Sequence, residues 1–389
     1  MNEGKHIVVI GGGPAGLSTA RAYREAGGRA DVTILASESY APYRRPPLTK
    51  EFLRGEISHD ELSLQERDWY KENGIDLHLA TSAESLDPER KIVEAEAGEF
   101  RYDTCVLATG SVPLRLPIPG ADDPEISTIR TVEDSARLQE SNGAGDRAVI
   151  VGSGFIGCEA AASLSMRGVE VDMVSLENIP QEARLGHEVG EQILSWLQNY
   201  GIKTHFGSGL RSIERENSVF NVNFEDSSLQ AETVLFGVGV EARTQLAKAA
   251  GLEVTEGGVV TDSSMRTTAP DIFAVGDISY AYNESAGRHL HVEHWGEALN
   301  HGRVAGTVMA GGAATWNVAP GFWSTIGDHT LKYVAWGDGW DTANFVDHGR
   351  KAFTVWYGQE GICVGVLTHE HDEDYGRGRE LVESGALLP

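Results

Sequence analysis

An α/β architecture with two parallel-sheet units and a separate C-terminal α+β region is predicted by this 389-residue sequence. Three observations predict it. A glycine-rich turn joins an apolar run to an amphipathic run near the N-terminus, the same turn recurs at 152–157, and closely spaced strand-like runs follow residue 314.

The first unit begins at Lys5-His-Ile-Val-Val-Ile-Gly-Gly-Gly-Pro-Ala-Gly16. Ile7 to Ile10 read as a buried parallel strand and Leu17 to Ala26 as the amphipathic helix after it. Gly11, Gly13 and Gly16 have the GxGxxG spacing, with Pro14 and Ala15 inside it. In such a turn the first glycine permits a tight reversal, the second lets backbone approach a pyrophosphate, and the third packs helix on strand. The helix then aims its free N–H groups and positive dipole end at the phosphates. A lone GxGxxG is weak; its place at a strand–helix junction and its repetition make it strong.

The second copy is Ala148-Val-Ile-Val-Gly-Ser-Gly-Phe-Ile-Gly157, with Gly152, Gly154 and Gly157 in the same spacing around Phe155 and Ile156. Asp31-Val-Thr-Ile-Leu-Ala-Ser-Glu38 then aligns without a gap on Glu170-Val-Asp-Met-Val-Ser-Leu-Glu177. Glu38 and Glu177 each end a second strand in an acid, the position that accepts hydrogen bonds from an adenosine 2′-hydroxyl. Two dinucleotides on one chain are therefore expected.

Size and composition bound the rest. The chain is long enough for two or three domains of roughly 100–200 residues, and a 41% hydrophobic share is that of a globular protein. A formal net charge of -26 argues against nucleic acid and anionic membrane surfaces as partners. No apolar run approaches the about 18 residues of a membrane span, and the first strand begins almost at the N-terminus without a signal sequence. Cys105, Cys158 and Cys363 form no disulfide framework or CxxC pair. A cytoplasmic setting is expected.

Residues 40–50 carry three prolines, which exclude regular helix and central strand and leave a stiff loop bearing Arg44, Arg45 and Lys50. Helical stretches around 61–73 and short strands to residue 99 follow, then a buried strand, 103–107, ending in Ala108-Thr-Gly110. The proline-rich run 111–120 reads as a crossover. The second unit extends to about residue 240, with a helix over 188–199 and a closing strand ending at Gly239. Another strand, 268–277, ends in Gly276-Asp277, and a helix with small residues on one face follows Glu293-His294-Trp295. Beyond 314, strands are predicted at 322–326, 331–336, 352–357 and 363–368, and a last helix from Gly376.

In sum these segments resemble the FAD-dependent pyridine-nucleotide oxidoreductases of glutathione-reductase-like fold, and within them the ferredoxin, putidaredoxin and rubredoxin reductases. The resemblance is carried in order by Gly11–Gly16, Pro42-Tyr-Arg-Arg-Pro-Pro-Leu-Thr-Lys50, Ala108–Gly110, Gly152-Ser-Gly-Phe-Ile-Gly-Cys-Glu159, Ile272-Phe-Ala-Val-Gly-Asp277 and Glu293–Trp295. The proline-rich loop is its most specific part; Arg44 and Thr49 depart from it, where an acid and a serine are common. Thiol-using relatives carry a reactive cysteine beside the flavin, and none stands between Glu38 and Lys50 here.

The resemblance implies an FAD-binding domain of residues 1–113 and 240–314, an inserted NAD-binding domain of residues 114–239, and an interface domain of residues 315–389. It assigns the first glycine turn to FAD and the second to the nicotinamide cofactor, with Glu38, Arg45, Ala108, Thr109, Gly110, Gly276 and Asp277 as further FAD contacts and Gly239 among the cofactor contacts. Lys50 matches the lysine beside the isoalloxazine, and Glu159 the acid that pairs with it; both are assigned to catalysis. Glu293, His294 and Trp295 open a helix whose N–H groups face the flavin, and Trp323 matches an aromatic residue set against flavin or nicotinamide.

The implied activity is electron transfer from NADH through FAD to a ferredoxin-like or rubredoxin-like protein, by a monomer or homodimer. An NADH oxidase or diaphorase, and a NADH-responsive flavoprotein like apoptosis-inducing factor, remain as alternatives. Glu177 favours NADH over NADPH because a carboxylate repels a 2′-phosphate, with Arg184 as a softening influence. Because ferredoxins are usually acidic, Arg44, Arg45 and Lys50 are candidates for a basic docking patch. No metal site is expected from His289, His291 and His294 or from His369-Glu-His-Asp-Glu-Asp374; the second group reads as a charged turn.

Overall fold

The computed structural model describes residues 4–255 and 257–389. The apolar run His6–Ile10 is the middle strand of a five-stranded parallel sheet, in the order Ile272–Ala274, Thr104–Leu107, His6–Ile10, Asp31–Leu35, Ile75–His78. Residues far apart in sequence thus complete one sheet. A second parallel sheet runs Lys203–Phe206, Glu170–Ser175, Arg147–Val151, Thr233–Phe236.

The repeat read from the sequence extends to the hydrogen-bond register. His6 lies opposite Asp31 and Ile10 opposite Leu35 in the first sheet; Arg147 lies opposite Glu170 and Val151 opposite Val174 in the second. Past the strand ends, Gly11 N–H donates to Leu35 O and Gly152 N–H to Val174 O, both at 2.8 Å. The helices Pro14–Glu25 and Phe155–Met166 follow at matching places, each capped at its N-terminus by the middle glycine of its turn.

Between the sheets the chain crosses twice, side by side: Ser111–Pro113 pairs antiparallel with Val240–Ala242. The helix Trp295–Met309 lies against Pro14–Glu25 with its small residues inward. A Cβ at Gly302 would fall 2.5 Å from Ala15 O and one at Gly306 2.4 Å from Thr19 O, so only glycine permits this approach.

Four local expectations need correction. The C-terminal sheet has five antiparallel strands rather than four, ordered Gly321–Ile326, His329–Ala335, Ile362–His369, Ala352–Gln359, Thr342–Gly349. The missed strand, Thr342–Gly349, is an edge strand with mostly exposed side chains and so lacks an apolar signature. The last helix spans Asp372–Ser384, so Asp372, Glu373 and Asp374 are its first turn, where acids complement the dipole, rather than part of a preceding charged turn. The stretch 61–73 is helical only at Asp60–Leu62 and Arg67–Glu72, and the proline-rich loop contains a 3-10 turn at Pro46–Thr49. No helix among the described residues is long and apolar enough to cross a membrane.

Candidate active site

Both glycine turns open onto one cavity of about 1770 Å³. Ala108, Thr109, Gly110, Gly239, Gly276, Asp277, Glu293, His294, Trp295 and Trp323 line it as well, as do Glu38, Arg45, Lys50, Glu159 and Glu177. Gly16 and Gly157 lie behind that lining. A Cβ on Gly16 would sit 2.2 Å from Gly11 O, and one on Gly157 2.1 Å from Gly152 O. Their part is to seat helix on turn.

The other glycines divide by what surrounds them. Gly11 has φ +126°, and its Cβ would collide with Ala108 O at 2.1 Å, whereas a Cβ on Gly13 meets nothing of the protein within 4 Å. Open space at the middle glycine, next to a helix N-terminus, is the opening a pyrophosphate needs. Arg243 Nε and His294 Nδ1, both on lining residues, are buried without a hydrogen-bond partner. The cavity therefore fits a group that brings phosphate and heterocyclic polar atoms.

At its centre Lys50 and Glu159 meet with Nζ 2.5 Å from Oε2, and both side chains are buried. Lys50 Nζ also donates to Pro46 O at 3.0 Å. Thr49 Oγ1 donates to the same carboxylate oxygen at 2.5 Å, and Ser324 Oγ donates to the other at 2.7 Å. The proline-rich loop, the second dinucleotide helix and the C-terminal sheet thus converge on one carboxylate. Thr49 and Ser324 went unassigned in the sequence because only the fold brings them together.

Asp277 is likewise engaged, by Arg130 Nη2 at 2.9 Å and Ser111 Oγ at 2.7 Å. Burial alone would raise its carboxyl, but the Arg130 guanidinium and the Ser111 hydroxyl outweigh it and hold the group below the usual carboxylate range. Arg130 lies in no motif, so the sequence offered no signal for it.

The expected basic patch needs correction. Arg45 is committed to Glu38 Oε1 and to Arg130 O, and the Tyr43 hydroxyl also donates to Glu38. Lys50 is neutralised by Glu159. Only Arg44 is exposed, with Nη2 on Glu61 O, and it does not line the cavity.

His294 caps the helix Trp295–Met309 at the cavity wall. Burial, with the nearby Arg184 charge, pushes its imidazole down to about 4, and burial raises the adjacent Glu293 carboxyl. Phe322 rather than Trp323 fills the space beside them, its ring 4.5 Å from His294 and 4.8 Å from Phe155, while Trp323 stands 47% exposed at the rim. Glu177 accepts from Ser153 Oγ at 3.0 Å and Gln181 N at 3.2 Å. Cys105 and Cys158 are wholly buried with thiols raised by desolvation, and no cysteine is among the residues lining the cavity. His289, by contrast with the metal groupings weighed above, stacks on Tyr280, and His291 Nε2 meets Asp277 O at 2.8 Å.

Comparison with known proteins agrees with this geometry. The chain is 31% identical over 388 residues to the benzene 1,2-dioxygenase system ferredoxin–NAD(+) reductase subunit of Pseudomonas putida, covering 98% of this chain and 93% of that one. It is 30% identical to a rubredoxin–NAD(+) reductase of the same species over 84% and 85% of the two chains. The reductase in a covalent putidaredoxin reductase–putidaredoxin complex superposes with a TM-score of 0.93 at 26% identity, over 99% and 94% of the chains. The family described as pyridine nucleotide-disulphide oxidoreductase matches residues 5–302, and this chain belongs to it.

Proposed function

We propose that the chain is an FAD-dependent NADH reductase whose electrons go to a small iron–sulfur protein of ferredoxin or rubredoxin type. One observation carries the reading: both dinucleotide turns face the same cavity, with the buried Lys50–Glu159 pair between them and no cysteine in its lining. Bound FAD supplies the conversion between a two-electron donor and a one-electron acceptor. Gly11–Ala15, Glu38, Arg45 and Asp277 hold it, in residues 1–113 and 240–314. Gly152–Ile156, Glu177 and Gly239 hold the nicotinamide cofactor, in residues 114–239, and residues 315–389 cover the site. Lys50 would stand beside the bound flavin ring, with Glu159 fixing its position and limiting its charge. The relatives' names, ferredoxin and rubredoxin reductases, support the acceptor.

Glu177 supports NADH over NADPH, since its carboxylate would repel a 2′-phosphate. Arg184 makes no ion pair with it among the described residues; its charge is felt instead by Glu293, His294 and Tyr333. Three unpaired thiols fit a reducing compartment, and we assign the cytoplasm.

Anaerobic stopped-flow mixing tests the proposal. NADH is expected to bleach the flavin absorbance, and an oxidised ferredoxin added next to restore it. Failure to recover flavin from the purified protein, or reoxidation by oxygen as fast as by every iron–sulfur protein tried, would sink it.

A further inference from the structure

The C-terminal region carries a cluster that the redox chemistry above leaves unused. His348 belongs to the edge strand Thr342–Gly349; His371 and Asp374 belong to the N-cap and first turn of the helix Asp372–Ser384. The two imidazole rings stack 3.8 Å apart at 9°. His348 Nε2 lies 3.3 Å and His371 Nδ1 3.1 Å from the same atom, Asp374 Oδ2. None of the three lines the cofactor cavity.

We propose that His348, His371 and Asp374 form a binding site for a divalent transition-metal ion of the zinc type. Four observations carry this. One ligand atom from each residue lies within 4.8 Å of the others, and tilting the two stacked rings apart would turn an in-plane nitrogen of each toward one ion beside Asp374. His371 Nδ1 is closed off from solvent and, although 3.1 Å from Asp374 Oδ2, makes a well-formed hydrogen bond neither to it nor to any other group, an unsatisfied state that coordination relieves. The buried Thr354 hydroxyl donates to Asp374 Oδ2 at 2.8 Å, the outer support that orients a ligating carboxylate. A register shift between Asp347 and Gly349 breaks the alternation at His348, as bulges do where a side chain is re-aimed.

The donor set selects the ion. Two imidazoles and one carboxylate suit Zn²⁺, Co²⁺, Ni²⁺ or Cu²⁺, whereas Ca²⁺ and Mg²⁺ require oxygen ligands. The side chains of His348 and His371 are 25% and 28% exposed, which gives the ion an entry path and lets water complete its shell. Binding requires neutral imidazoles, so any imidazolium proton passes to solvent as the ion enters. The ion would tie the first turn of the last helix to the 342–359 hairpin.

Isothermal titration of ZnCl₂ into EDTA-dialysed, flavin-loaded full-length protein at neutral pH tests this. One equivalent is expected to bind and to raise the melting temperature. His348→Ala, on an exposed edge strand, is expected to weaken binding by at least tenfold, and Thr354→Val, which keeps the volume, by about 10–100-fold. Flavin content and circular dichroism verify that each variant is folded. Absence of binding, unchanged affinity in the His348→Ala/His371→Ala double variant, or Ca²⁺ competing on equal terms would each overturn the proposal.

Discussion

Lys50 and Glu159, 109 positions apart, form a buried ion pair that fastens the proline-rich loop to the second dinucleotide helix. A pair so placed is unforgiving of half-removal, because the remaining charge keeps its desolvation penalty. Lys50→Met is expected to cost about 3–5 kcal/mol, with Lys50→Met/Glu159→Leu recovering part of it. Urea denaturation of the four members of this cycle measures the coupling. Additive losses would mean that the two side chains do not depend on one another. Reduction by NADH is expected to slow in both single variants.

The glycines separate folding from binding. Gly13→Ala places its methyl in open space, so the protein is expected to fold but to lose affinity for FAD by an order of magnitude or more. Gly11→Ala collides with Ala108 O and is expected to lower soluble yield. Gly154→Ala meets only Gly237 O at 3.6 Å and Gln181 Nε2 at 3.8 Å; it is expected to raise the KM for NADH with flavin content unchanged. Flavin-to-protein absorbance ratios and steady-state kinetics distinguish the three. Equal flavin loss in Gly13→Ala and Gly154→Ala would contradict the division of the turns between two cofactors.

Acid is expected to loosen the fold through two buried histidines. Burial lowers His294 and His301 to about 4 from 6.5. Because both are neutral in the fold and take up protons on unfolding, their contribution is complete above pH 6.5 and is lost as pH falls toward 4. The slope is roughly 1.4 kcal/mol per pH unit for each group. Urea midpoints at pH 7, 5.5 and 4.5 for wild type and His301→Gln test it: the variant is expected to show a shallower decline, and parallel curves would refute the assignment.

Asp277 acts lower on the pH scale. Its folded value is depressed, so the stabilisation from Arg130 and Ser111 is present above its ordinary value of 3.8 and disappears only below that. Asp277→Asn is expected to be less stable than wild type at pH 6, with the gap narrowing as pH falls below 3.8. A constant gap in melting temperature across that range would show that the carboxylate's charge is not what matters.

The repeated units were legible because glycine spacing, the apolar strands and the terminal acids Glu38 and Glu177 are local and mutually constrained in register. Lys50 and Glu159 were legible only through resemblance, since nothing local announces a pair separated by 109 positions. Arg130, Ser111 and Ser324 were invisible, being ordinary residues made important by where the chain folds back. The edge strand Thr342–Gly349 escaped because exposed strands carry little apolar alternation. The docking patch is thinner than its residue types suggest: the fold pairs Arg45 with Glu38, as it pairs Lys50 with the expected Glu159, and leaves Arg44 as the exposed charge of the three.

The strand Ile272–Ala274 belongs to a sheet whose other strands all precede residue 110, and the helix Trp295–Met309 packs against Pro14–Glu25 beside it. At roughly 5–20 residues per second, a ribosome therefore leaves the amino-terminal unit without its last strand for many seconds. The strands of the middle sheet, all within 147–236, emerge together meanwhile. Nascent chains stalled after residue 280 should then resist protease over the middle segment and remain cleavable before it. Synthesis runs from one end, but the order of completion does not.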